Sequence, residues 1–112
     1  MEGLEGVIFG IITHAGNARG LAFEALQAAE QGDFAKAQTL MEEAEADIRE
    51  AHKIQTEIIH KEANGERIDV GVLFVHSQDH LMTAISEKTL IERLIYMHQR
   101  LTNLETKGKT TL

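Results

Sequence analysis

His76, Asp79 and His80 stand at i, i+3 and i+4, a spacing that puts all three on one face of a helix. Two imidazoles one turn apart, with a carboxylate beside them, open three chemistries. They can be hydrogen-bonded residues of a core or an interface. They can supply three ligands to one metal ion. Or one ring can act as a nucleophile, because neutral imidazole, with an ordinary pKa of about 6.5, keeps a free lone pair at physiological pH. Spacing alone leaves all three open. The remaining histidines, His14, His52, His60 and His98, have no comparable partners in sequence and read as structural or surface residues.

The cluster lies in a segment with helical periodicity from near Val70 to about Glu105. At about 100° per residue, Val72, His76, Asp79, Thr83, Ser86, Leu90, Leu94, Met97 and Leu101 share one stripe. Its second half reads as ordinary core, whereas its first half is polar where aliphatic residues are expected. Phe74, Leu81 and Ile85 lie roughly opposite, with Val75 and Met82 at their flank. A helix apolar on two sides must be covered on two sides. Two helices of the same chain cover one face. Another subunit is expected on the other, which makes the protein a homo-oligomer with this helix at the interface.

Two earlier segments supply the cover. The first carries Leu4, Ile8, Ile11, Ala15, Ala18, Ala22, Ala25 and Ala29 in alternating steps of four and three, and stops at Gln31-Gly32-Asp33. Gly32 suits a left-handed C-cap and Asp33 the next N-cap. The second carries Phe34, Ala37, Met41, Ala44, Ile48, Ala51 and Ile58, and stops at Asn64-Gly65. Short connections between long helices make antiparallel neighbours. The fold class is therefore all-α, an up-down-up three-helix bundle over residues 1–105, with a polar, fraying tail at 106–112. Gly6/Gly10 and Gly16/Gly20 form small-residue pairs in the first helix and read as close packing or a bend, since each glycine costs a helix about 1 kcal/mol against alanine.

Composition agrees. None of the 112 residues is proline or cysteine, where average usage gives roughly six prolines. The lack of proline fits long uninterrupted helices. The lack of cysteine excludes disulfides, thiolate zinc sites and a cysteine nucleophile. A net charge of −7 argues against nucleic acid and against anionic membrane surfaces. The acidic run Glu42, Glu43, Glu45, Asp47, Glu50 reads as a solvated face. The longest apolar run, Val7 to Ile12, is far short of the ~20 residues that span a bilayer, and the start Met-Glu-Gly-Leu-Glu is acidic where a secretion signal is basic. A cytoplasmic setting is expected.

The run Val75-His76-Ser77-Gln78-Asp79-His80-Leu81-Met82-Thr83-Ala84 resembles the signature of the lactose/cellobiose-type enzyme IIA of the bacterial phosphoenolpyruvate-dependent sugar phosphotransferase system. Ala15-Gly16-Asn17-Ala18-Arg19, Gly32-Asp33-Phe34 and Ala51-His52-Lys53-Ile54-Gln55-Thr56 are similar to the same family, over about residues 4–104. Ser77 departs from the pattern, where alanine is expected.

The resemblance implies a homotrimer in which His76 is phosphorylated. It implies that Asp79 approaches the threefold axis, where three copies share a divalent cation such as magnesium. Three convergent carboxylates repel, so a cation or protons must balance them, and an oxygen-only site suits a hard cation. The implied partners are the histidine-containing phosphocarrier protein as donor and a cysteine of a cognate enzyme IIB as acceptor, with the membrane component IIC served indirectly. Gln78 and His80 are candidate donors to the phosphate oxygens, and Ser77 a weaker one. Apolar residues around the third helix are expected to dock both partners on overlapping surfaces. The competing reading is a non-catalytic trimeric helical adaptor whose polar cluster fixes register. A two-component histidine-phosphotransfer module ranks lower, because Asp79 and His80 stand where its lysine-glycine pair belongs.

Overall fold

The computed structural model describes residues 2–110. Three helices, α1 (Glu2–Glu30), α2 (Phe34–Ala63) and α3 (Val72–Thr110), form an up-down-up bundle about 68 Å long and 21 × 20 Å across. None of the described helices is long and apolar enough to cross a membrane.

Both helix ends anticipated from glycine close in the same way. Asp33 N–H donates to Ala28 O at 2.9 Å and Gly32 N–H to Ala29 O at 3.0 Å, with Gly32 at φ +84°. Glu66 N–H donates to Lys61 O at 3.0 Å and Gly65 N–H to Glu62 O at 3.0 Å, with Gly65 at φ +94°. Each is a Schellman closure with glycine in the left-handed region. Asp33 also begins α2, its Oδ1 accepting from Lys36 N–H at 3.1 Å.

The α1 seam lies where its periodicity puts it. Ile8, Ile11, Ala15, Ala18, Ala22, Ala25 and Ala29 are all buried, against Ala37, Ala44, Ile48, Ala51 and Ile58 of α2. Alanine keeps the helix axes close, and α1 is the common partner along which both others pack. Of the α1 glycines, only two face a neighbour. A Cβ at Gly10 would meet Ile54 Cδ1 at 3.2 Å, and one at Gly16 would meet His80 Nε2 at 3.5 Å.

The third helix presents the face opposite to the one expected. Ser77, Leu81, Ala84 and Ile91 are buried, with Phe74 and Ile85 packed beside them. Leu90, Met97 and Leu101, read from the sequence as ordinary core, are 62%, 58% and 53% exposed. The cause is geometric. The α1 seam admits one narrow stripe of α3, and the Ser77–Leu81–Ala84 side, with its small residues, fits the alanines more closely than the leucine-rich side. Helix α3 runs through Thr110, residues 99–108 are exposed, and the last two residues of the expected tail lie outside the described residues.

Leu81, fully buried at the junction of all three helices, should dominate this core. Leu81→Ala is expected to cost about 3 kcal/mol, and Gly32→Ala, forced to a positive φ, about 1–2 kcal/mol. Denaturant unfolding reads both, and a Leu81→Ala loss under about 1 kcal/mol would place that side chain outside the core.

Candidate functional site

The cluster sits in the first three turns of α3. His76 is exposed, and its ring stacks on that of His80 with centroids 5.9 Å apart and planes 5° from parallel. That stacking follows from the i, i+4 spacing, which aligns side chains one turn apart. Asp79 is exposed on the same helix. Among the described residues no three histidine, cysteine or acidic side chains gather as a metal site.

His80 is half-buried against α1, and Arg19 Nη1 approaches its Nδ1 at 3.4 Å. Arg19 is in turn clamped by Glu87 of α3, Nε to Oε1 at 2.5 Å and Nη2 to Oε2 at 3.2 Å, a two-point guanidinium–carboxylate pair. Burial holds the His80 pKa below 6.5, helped by the positive charge of Arg19 and by His76, while Asp79 and Glu87 oppose the shift. His80 is thus held toward its neutral form.

The other candidates point elsewhere. Ser77 is fully buried and its hydroxyl donates to Phe74 O at 2.7 Å, so it faces the core and not a ligand on His76. Gln78 turns toward α2, where its Oε1 accepts from Gln55 Nε2, and its own Nε2 is buried without a partner. His14 donates through Nδ1 to Asp47 Oδ1 at 2.7 Å, a cross-helix partner that sequence proximity could not reveal. Two members of the acidic run are likewise engaged, since Glu45 pairs with Lys88 and Asp47 with His14. Lys88 also meets Glu92 at 3.0 Å; burial lowers its pKa, but the bonds to Glu45 and Glu92 outweigh it and the net shift is upward.

The sequence profile described as "PTS system, Lactose/Cellobiose specific IIA subunit" matches residues 6–99. The chain belongs to that family. It is 47% identical over 102 residues to a cellobiose-specific EIIA component of Lactococcus lactis subsp. lactis, covering 91% of this chain and 88% of that one. The cellobiose-specific enzyme IIA of Bacillus anthracis superposes with a TM-score of 0.88 at 45% identity, covering 92% of this chain and 94% of that one. A IIA(Chitobiose)–HPr complex from the Escherichia coli phosphotransferase system matches with a TM-score of 0.75 at 40% identity, covering 88% and 96%. This IIA chain is accordingly a phosphotransferase component of the lactose, cellobiose and chitobiose class.

Sequence reasoning did not identify Arg19 or Glu87 as members of the site. Arg19 lies in one of the family-like stretches, but its partners are 61 and 68 residues away along the chain. The lowered His80 pKa has a sign that can be checked. Between that value and 6.5 the unfolded chain binds a proton that native His80 refuses, so stability should fall as pH drops through this window. Arg19→Ala should move the His80 titration upward in ring-resolved NMR; a midpoint at or above 6.5 in the wild type would contradict this environment.

Proposed function

We propose that His76 accepts a phosphoryl group from the histidine-containing phosphocarrier protein and passes it to a cysteine of a cognate enzyme IIB, in the cytoplasm, during sugar uptake. The observation that carries this is the exposed His76 imidazole stacked on His80 on the uncovered side of a family IIA bundle. In the single chain that ring is open to solvent. The E. coli chitobiose relative in complex with HPr supports the choice of donor.

The transfer balances without an outside reagent. A lone pair on a ring nitrogen of His76 forms the new N–P bond in line as the donor's N–P bond breaks, and that electron pair stays on the donor's imidazole. In the second step a IIB thiolate attacks phosphorus and the His76–P electron pair returns to His76. The protein's part is to position a neutral nitrogen and to offer donors to the equatorial oxygens. His80 stands beside the reacting ring for this purpose. Gln78, tied to Gln55, would have to break that bond to donate; as placed, it holds α3 against α2.

The exposed stripe Leu90, Leu94, Met97, Leu101 is the surface we assign to trimer contacts. A row of leucines and methionine left to water on a long helix is costly, and three copies packed about α3 would cover it. Asp79 from each copy would then converge and hold a divalent cation, probed best with magnesium, whose chemical contribution is charge balance among three carboxylates. The donor set fits, because carboxylate oxygens suit a hard ion and each Asp79 is exposed in the single chain.

With phosphoenolpyruvate, enzyme I and the phosphocarrier, the wild type should gain one acid-labile phosphate and His76→Ala none. Equal labelling of the two proteins would sink the assignment and leave the adaptor reading. Asp79→Leu should keep the trimer and tighten it, since it removes three repelling carboxylates. A weaker trimer by sedimentation would instead make Asp79 and its ion a required structural element.

A further inference from the structure

Arg19 and Glu87 join α1 to α3 across 68 residues of sequence, and their two-point contact uses Nε and Nη2 of the guanidinium. What remains, Nη1, is aimed at His80 Nδ1 at 3.4 Å. A guanidinium has donors and no acceptor, so Nδ1 of His80 must present its lone pair. In the neutral ring the proton then sits on Nε2. The alternative tautomer would set N–H against N–H.

The other edge of the ring lies over α1 at Gly16. A Cβ at that position would stand 3.5 Å from His80 Nε2, in van der Waals contact and covering it; glycine leaves it open. Among the described residues no protein atom accepts a hydrogen bond from Nε2. A donor with a fixed proton and no partner of its own therefore lies on the ring stacked against His76.

We propose that Arg19, held in place by Glu87, is a positioning residue that fixes His80 as an Nε2–H donor to the phosphoryl group on His76, and that Gly16 keeps this donor uncovered. The inference rests on His76 being the acceptor. A phosphoryl group on His76 would lie beside the His80 ring, whose centroid is 5.9 Å from that of His76. A ring held in one tautomer keeps an N–H available to the phosphoryl oxygens throughout, whereas a ring free to exchange tautomers presents a lone pair to them part of the time. This also gives Gly16 a reason that packing does not supply, since its neighbour is a ring nitrogen at ordinary contact distance rather than a crowded backbone.

The test combines ring 15N NMR of the intact protein at about pH 8, where imidazole is neutral, with the single-turnover rate of phosphoryl transfer from the phosphorylated phosphocarrier. In the wild type His80 should be a single tautomer with hydrogen on Nε2. Arg19→Ala should give mixed tautomers and transfer about tenfold slower, with helix content unchanged. Gly16→Ala, which should raise helix stability, keeps the test alive if Arg19→Ala does not fold; it should also slow transfer several-fold. Hydrogen on Nδ1 in the wild type would overturn the proposal, as would wild-type transfer rates in both variants. A wild type that takes up no phosphate on His76 would instead overturn the underlying assignment of the acceptor.

Discussion

The close approach of α3 to the alanine seam of α1 governs what the rest of the molecule can do. Ala15, Ala18 and Ala22 have no side-chain reach beyond Cβ, so α3 must come near to bury anything, and it can bury only a narrow stripe. Ser77, Leu81 and Ala84 take that place. Everything on the opposite side of a 39-residue helix is then left outside, including His76, Asp79 and the leucine row. The same constraint that builds the core leaves the His76 ring and an apolar row of α3 exposed.

The electrostatics of the site follow from the same geometry. Arg19 reaches across the seam at the level of His80, and Glu87 neutralises it on the way. The result is a donor-rich, nearly charge-balanced patch in a chain of net charge −7. The phosphoryl group proposed for His76 would bring further negative charge to this surface. An oriented N–H without an internal partner could receive it without gathering loose cations from solvent.

Much of this was legible in sequence, and the exceptions have a common origin. The period of α1 gave its buried residues, and Gly32, Asp33 and Gly65 marked helix ends that close through those very residues. The His76–His80 stack follows from a four-residue interval. Periodicity assigns residues to a face of their own helix and says nothing of which neighbour meets that face. For α3, apolar on both sides, periodicity does not choose the inward side, and the leucine row that reads as core lies outside. Arg19–Glu87, Arg19–His80 and His14–Asp47 escaped for the same reason, since each depends on the register of two helices. Ser77 shows the limit at single-residue scale: whether a serine inside a site signature faces a ligand or the core turns on about 100° of helix rotation.

The central claim is that one histidine, on the uncovered side of α3, carries the phosphoryl group. Phosphorus-to-nitrogen coupling, measured by NMR on the 15N-labelled protein after enzymatic phosphorylation, tests it most directly. One 31P resonance should couple to a ring nitrogen of His76 and to none of the other five of the six histidines. Coupling to any ring other than that of His76, or a phosphate bound to oxygen, would contradict it.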